Sequence, residues 1–276
     1  MASMVKVSRM PLLKWEQRAA EKLEPHEAKE PRDFRLIEPE YEKAIVIPWL
    51  SNAAVWDELK YTLRSIELHW KDKECPIIII GDAPPVWLKE GGRIRFIHIK
   101  EYEESRAAGL WEAWQVGMQI ADKVAWWNDD IYLLKDVGWG DIEIALTEGE
   151  ITDSQDLLRA SINGWRRSMG EAVGDLLNKG LEKVLRFATH TPFLFEREKS
   201  LQIFRGYHLN YKGSWVNLYH NHHQTPHTEC KPFKTRKLPT TGGESYYNHS
   251  HNGPDPKTRT ILSEMFPTPA LWENGA

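Results

Sequence analysis

The feature that most constrains this chain is the run Pro76-Ile77-Ile78-Ile79-Ile80-Gly81. Four consecutive β-branched residues are stiff at χ1 and favour an extended backbone. Successive side chains of a strand point to opposite faces. A strand that is apolar at every position therefore needs cover on both faces, as in the centre of a parallel sheet layered with helices. Proline and glycine close the run at strand length.

Other segments agree with that architecture. Ala44-Ile45-Val46-Ile47 reads as a strand stopped by Pro48, Arg95–Ile99 alternates as a third strand, and Val124–Trp127 reads as a fourth. Between them, Val55–Trp70 is expected to be helical, with Trp56, Leu59, Leu63 and Ile66 on one face. Ala107–Ala121 places Leu110, Trp114 and Met118 at i, i+4 and i+8. This order predicts an α/β fold, Rossmann-like, with a mostly parallel central sheet flanked by helices.

The rest of the chain is less regular. Residues 1–40 read as a charged arm with some helix over Leu12–Leu23, broken by Pro25 and Pro31. Residues 41–276 read as one domain, with a first half over about 41–140 and a second half over about 141–276. Helices are expected at Ser154–Arg159, Gly170–Lys179 and Glu196–Phe204. Residues 206–260, rich in His, Asn, Tyr, Gly and Pro, read as long ordered loops.

Composition narrows the classes. At 41% apolar and 28% charged residues the chain has a globular balance. Its net charge of −4 argues against a domain-wide clamp on nucleic acid. Two cysteines, Cys75 and Cys230, are too few for a disulfide scaffold and fit a reducing compartment. The apolar runs are too short to span a membrane and no signal-peptide core follows the start, so a cytoplasmic chain is expected. The 13 tryptophans read mostly as core, with a few free to stack on a sugar or a base.

Five groups carry candidate chemistry. Asn128-Asp129-Asp130 follows the fourth strand directly, and ligands gather at the carboxyl ends of such strands. Two adjacent carboxylates repel each other. A hard divalent cation, Mg²⁺ or Mn²⁺, relieves that repulsion, and the alternative is an exposed turn with two solvated aspartates. Glu112, between Trp111 and Trp114, is a candidate base or a solvent-facing helix residue. His190, in Thr189-His190-Thr191-Pro192, is a candidate acid or base, a phosphate ligand, or a structural cap. Six of the 11 histidines (His220, His222, His223, His227, His249 and His251) fall within residues 220–251, a weak pointer to zinc. His249 or His251 reads better as an extra ligand or phosphate contact. Arg166, Arg167, Lys212, Lys231, Lys234, Arg236 and Lys237 make either a solvated surface or a groove for phosphates. No Walker loop, GxGxxG, GxSxG or CxxC occurs.

The order of several blocks resembles one family. Asp57–Glu67 is similar to the "ELRYSLRSIE" block of the Stealth sugar-phosphotransferases, and Pro85–Leu88 to their "PxWL". Trp127–Ile131 resembles their "NDD" segment, Thr189–Phe193 their "HxP" block, and Met265–Glu273 their closing "FPxPSxFE". The resemblance implies a GT-A-like transferase that takes a nucleotide-sugar, UDP-linked, with a divalent metal, and moves sugar-1-phosphate to an acceptor hydroxyl. It implies catalytic roles for Glu112, His190 and Asp130, and metal contacts for Asp129, Asp130 and His249. Lys212 falls near a family arginine, and Asn248 matches part of a final "IND" block, with His249 in place of its aspartate.

The family's opening "YTWVDG" is answered here by Ile47-Pro48-Trp49-Leu50-Ser51-Asn52, which lacks the acidic residue. That opening is closer to ordinary GT-A glycosyltransferases, whose first loop holds the nucleotide. Pro48, Ser51, Asn52, Asp82 and Asn128 are therefore expected around the donor, and glycosyl transfer stands beside sugar-phosphate transfer. The acceptor is a carbohydrate or a hydroxymethylated pyrimidine in DNA, the latter requiring a flipped base. A non-catalytic, tryptophan-rich glycan-binding module is the rival of another class.

Overall fold

In a computed structural model the described residues are 38–99, 106–151, 164–207, 211, 213–230, 234–235, 238, 243–249 and 253–274. The elements follow in chain order. They are β1 (Tyr41–Trp49), α1 (Glu58–His69), β2 (Ile77–Gly81), β3 (Ile94–His98), α2 (Arg106–Ile120), β4 (Ala121–Trp126) and β5 (Ile131–Leu133). After a 3₁₀ turn at Trp139–Ile142 come β6 (Ala145–Thr147), α3 (Gly164–Asn178), β7 (Phe193–Glu196), α4 (Arg197–Arg205) and α5 (Trp215–His222). The chain ends with β8 (His227–Glu229), β9 (Lys234–Thr235), β10 (Tyr246–His249) and α6 (Pro256–Met265).

The four strands expected from the sequence, joined by β7, which was not expected, form a five-stranded sheet in the order β3-β2-β1-β4-β7. β1 to β4 run parallel and β7 is an antiparallel edge beside β4. The isoleucine run explains this arrangement. Ile78 and Ile80 pack with Val46, Val124, Trp114 and Trp126 under α2, α3 and α5. Ile77 and Ile79 pack with Ile45, Ile47, Leu59, Leu63 and Ile66 under α1. All four isoleucines are fully buried, each contributing roughly 2 kcal/mol of apolar transfer free energy. The terminal Gly81 has a steric cause: a Cβ there would run into the carbonyl oxygen of its β1 neighbour Trp49.

Most of the tryptophans are core, as expected. Trp70, Trp111, Trp114, Trp126 and Trp127 are fully buried. Trp70 meets Trp127 edge-on at 5.6 Å and Trp139 at 5.4 Å, a favoured aromatic geometry. Both cysteines are free, and burial pushes the Cys75 thiol up to about 12.

Two expectations need revision. Residues 206–260 are not wholly loop. Trp215–His222 is a helix whose residues 215–221 are all buried, and β8, β9 and β10 follow it. The helix expected over Gly170–Lys179 begins six residues earlier and ends at Asn178, as α3. Ser154–Arg159 and the arm 1–37 lie outside the described residues.

The end of the chain is tied back to α1. Arg64 makes a double hydrogen bond to Glu273, Nε to Oε1 at 2.6 Å and Nη2 to Oε2 at 2.7 Å, and its Nη1 donates to the Phe266 carbonyl. Trp87 and Lys89 exchange backbone hydrogen bonds with Asn274 and Trp272. Three of the five blocks quoted above, Asp57–Glu67, Pro85–Leu88 and Met265–Glu273, thus make one structural junction.

Candidate functional site

Ligands of parallel sheets gather at the carboxyl edge, where neighbouring strands send the chain in opposite directions. Here that place lies between β1, which leads to β2 on one side, and β4 on the other. The β1–β4 ladder ends at Val46 and Trp126, with one further bond from Trp127 N to the Val46 carbonyl at 2.9 Å. The β1–β2 ladder continues to Trp49 and Gly81. Alternation turns the same backbone edge of Val46 and Pro48 toward β4, and Pro48 has no N–H to offer. β1 and β4 therefore part at Pro48, which itself is buried opposite Ile80 rather than on the rim.

The acidic turn leaves β4 at this opening. Asn128, Asp129 and Asp130 are each half-buried. Thr62 Oγ1, on α1, donates to the Asp129 carbonyl at 2.8 Å. Asn248 Nδ2, on β10, donates to the Asp130 carbonyl at 2.9 Å. Asn248 is fully buried, so its contact in this structure is with the turn itself. Asp130 Oδ1 is buried and accepts no hydrogen bond among the described residues, an arrangement that is costly without a partner. His249 Nε2 lies 3.9 Å from Glu58 Oε1, both side chains 4% exposed. The Tyr132 phenol lies beneath them. Burial first, then the charges of Asp130, Glu58 and Asp129, raise it well above the ordinary tyrosine value.

The donor set fits a hard cation in type. It offers the carboxylates of two adjacent aspartates, one of whose oxygens is buried and unsatisfied. It is not a closed cage: among the described residues no three His, Cys, Asp or Glu side chains converge as a metal site.

The loops after β1 and β2 meet at the same carboxyl edge. Ser51 donates to both oxygens of Asp82, from its N–H at 2.8 Å and from Oγ at 2.6 Å. Burial raises the Asp82 carboxyl, the two Ser51 bonds together with the backbone N–H groups of Asp82 and Ala83 more than offset it, and the net position is below the usual range. Ser51 and Asn52 are exposed, Asp82 half-buried.

His190 reaches the same edge from β7. Phe193 is the β7 residue opposite Trp126 and β7 runs antiparallel to β4, so the chain, with His190 three residues earlier, enters β7 at the end of the sheet where the acidic turn leaves β4. His190 has φ +52°, the left-handed region that few residues other than glycine adopt. The hydroxyls of Thr189 and Thr191 bond each other across it at 2.8 Å. Glu112 is half-buried about two turns into α2, between the fully buried Trp111 and Trp114.

The described histidines do not gather into one metal-binding group. His220 is buried in a cage of Phe187, Phe193 and Phe195, with ring centroids 4.8, 5.1 and 5.6 Å away. His223 bonds the Lys199 carbonyl, and His227 bonds the Thr225 carbonyl. Arg166 and Arg167 are exposed. Lys212, Lys231, Arg236, Lys237 and His251 lie outside the described residues, and for Lys234 only the backbone is described.

Sequence reasoning missed Glu58, Thr62 and Ser65. A signal was present: three polar residues at i, i+4 and i+7 lie beside the apolar face of α1, and all three are buried. Glu58 holds the loop before it, accepting from Val55 N at 2.8 Å and Trp56 N at 2.9 Å.

No family model matches the chain, and no curated protein does. The resemblance to the Stealth enzymes therefore rests on its five short blocks alone. Among solved structures, the chain is similar to a crystal structure of the galactosyltransferase LgtC in complex with donor and acceptor sugar analogs. The identity is 15% and the TM-score 0.42, over 83% of this chain and 98% of that one.

Proposed function

We propose that this chain is a metal-dependent transferase that moves a sugar from a nucleotide-diphosphate sugar, UDP-linked, to an acceptor hydroxyl on a carbohydrate. The observation that carries the proposal is the acidic turn. Asp129 and Asp130 lie at the carboxyl edge where β1 and β4 part, and Asp130 Oδ1 is buried without a partner. Asp129 and Asp130 would hold a Mg²⁺ or Mn²⁺ ion, which when bound neutralises charge on a diphosphate leaving group. His249, beside Glu58, is the further candidate for that site. Ser51, Asn52, Asp82 and Asn128 would line the nucleotide. His190 would take or give the acceptor proton, with Glu112 as the second candidate base.

The opening Ile47–Asn52, without an acidic residue, favours glycosyl transfer over sugar-phosphate transfer. Incubation of the purified chain with a panel of UDP- and GDP-sugars and Mn²⁺ separates the two. Release of UDP supports glycosyl transfer, and release of UMP marks sugar-1-phosphate transfer. Absence of either nucleotide from every donor and acceptor tried would count against the proposal as a whole.

A further inference from the structure

A buried polar side chain inside an apolar layer costs free energy unless it is bonded. α1 carries three of them on one face, and each is bonded to a loop at the carboxyl edge of the sheet or to the strand leaving it. Glu58 binds the backbone of Val55 and Trp56, Thr62 binds the Asp129 carbonyl, and Ser65 Oγ accepts from Leu133 N at 3.0 Å. Thr62 and Ser65 are 0% exposed. From β10, the equally buried Asn248 binds the Asp130 carbonyl. The two acidic residues are therefore gripped by their backbone carbonyls from two elements. One lies 67 residues before the turn and the other 118 residues after it.

Two neighbouring carboxylates repel each other, and a free turn relaxes by swinging them apart. Fixing both carbonyls fixes the backbone dihedrals of the turn and so the directions of the two Cα–Cβ bonds. We infer that Thr62, with Asn248 on β10, is a positioning residue that holds the carboxylates of Asp129 and Asp130 together for a divalent cation. The inference rests on the metal reading proposed above. Groups that orient metal ligands typically change metal affinity by about 10- to 100-fold when removed.

The test is Mn²⁺ titration of the full chain, with free Mn²⁺ read by electron paramagnetic resonance and folding checked by circular dichroism. Thr62→Val keeps the shape and removes the hydroxyl, and Mn²⁺ affinity is expected to fall about tenfold. Thr62→Ser restores the donor and is expected to bind within about twofold of the parent, a rescue that a packing role would not give. Asn248→Ala removes the grip from β10, carries the same expectation of a tenfold loss, and decides the matter should Thr62→Val not fold. Parent-like Mn²⁺ affinity in the folded Thr62→Val or Asn248→Ala variant, while Asp130→Ala loses the ion, would overturn the positioning role and leave the metal reading standing. Equal losses in Thr62→Val and Thr62→Ser would overturn it too. Mn²⁺ binding that Asp130→Ala leaves unchanged, or no binding by the parent chain, would overturn both.

Discussion

His190 combines two properties that a structural residue rarely shares. It sits at φ +52°, and it stands at the edge of the sheet that carries the acidic turn. The left-handed backbone costs a residue with a Cβ about 1 kcal/mol, which glycine avoids. His190→Gly is therefore expected to be more stable than His190→Ala by about that amount, as measured by thermal unfolding. Both are expected to lose about 10²- to 10⁴-fold in kcat if the imidazole moves a proton. His190→Gln is expected not to rescue, since an amide bonds without shuttling a proton. Full activity in His190→Ala would make the residue structural. Asp130→Ala is expected to lose about 10³-fold or more in turnover with the fold intact, and Asp129→Ala somewhat less. Near-normal turnover at saturating Mn²⁺ would remove Asp130 from the site.

At the level of elements, the strands were legible because their burial is written in the side chains. Ile77–Ile80 leaves no polar face, and the structure covers both faces. α5 was not legible. Trp215-Val216-Asn217-Leu218-Tyr219-His220-Asn221-His222 contains β-branched, aromatic and amide residues that are poor helix formers, and only packing against the core holds it helical. Asn217 and Asn221, which read as loop residues, instead bond the backbone of Phe187 and Leu185. The role of α1 was half legible: its apolar stripe was read, its polar stripe was not. The partner of Arg64 was invisible, because Glu273 is 209 positions away. Both side chains are largely buried, and burial raises the Glu273 carboxyl less than its bonds to Arg64 and Ala270 lower it. Arg64→Ala leaves that carboxylate buried without its cation and is expected to cost about 3 kcal/mol in urea unfolding. The double change Arg64→Met with Glu273→Leu is expected to cost less than Arg64→Ala alone. A larger loss in the double variant would show that packing, rather than the ion pair, closes the junction.

The molecule as a whole places one ionisable group where it opposes acid. His220 is 1% exposed, and neither ring nitrogen has a hydrogen-bond partner among the described residues. Burial lowers its pKa to about 3, against about 6.5 in an unfolded chain. Between those values the unfolded state binds the extra proton, so stability falls as the pH falls from 6.5 toward 3 and is unaffected by this group above 6.5. The loss from this group is expected to reach about 2 kcal/mol by pH 5. His220→Phe, matched to its phenyl cage, is expected to flatten that part of the stability profile. An unchanged slope between pH 6.5 and 5 would assign the acid sensitivity elsewhere.

The loop after β1, the turn after β4 and the start of β7 all lie at one edge of the sheet, where the donor and its metal are proposed to bind. That proposal is tested most directly by calorimetric titration of UDP into the full chain with and without Mn²⁺, for the parent and for Asp130→Ala. UDP is expected to bind the parent only when Mn²⁺ is present, and Asp130→Ala to abolish that dependence along with the binding. UDP binding of equal strength with and without the metal, or untouched by Asp130→Ala, would contradict it.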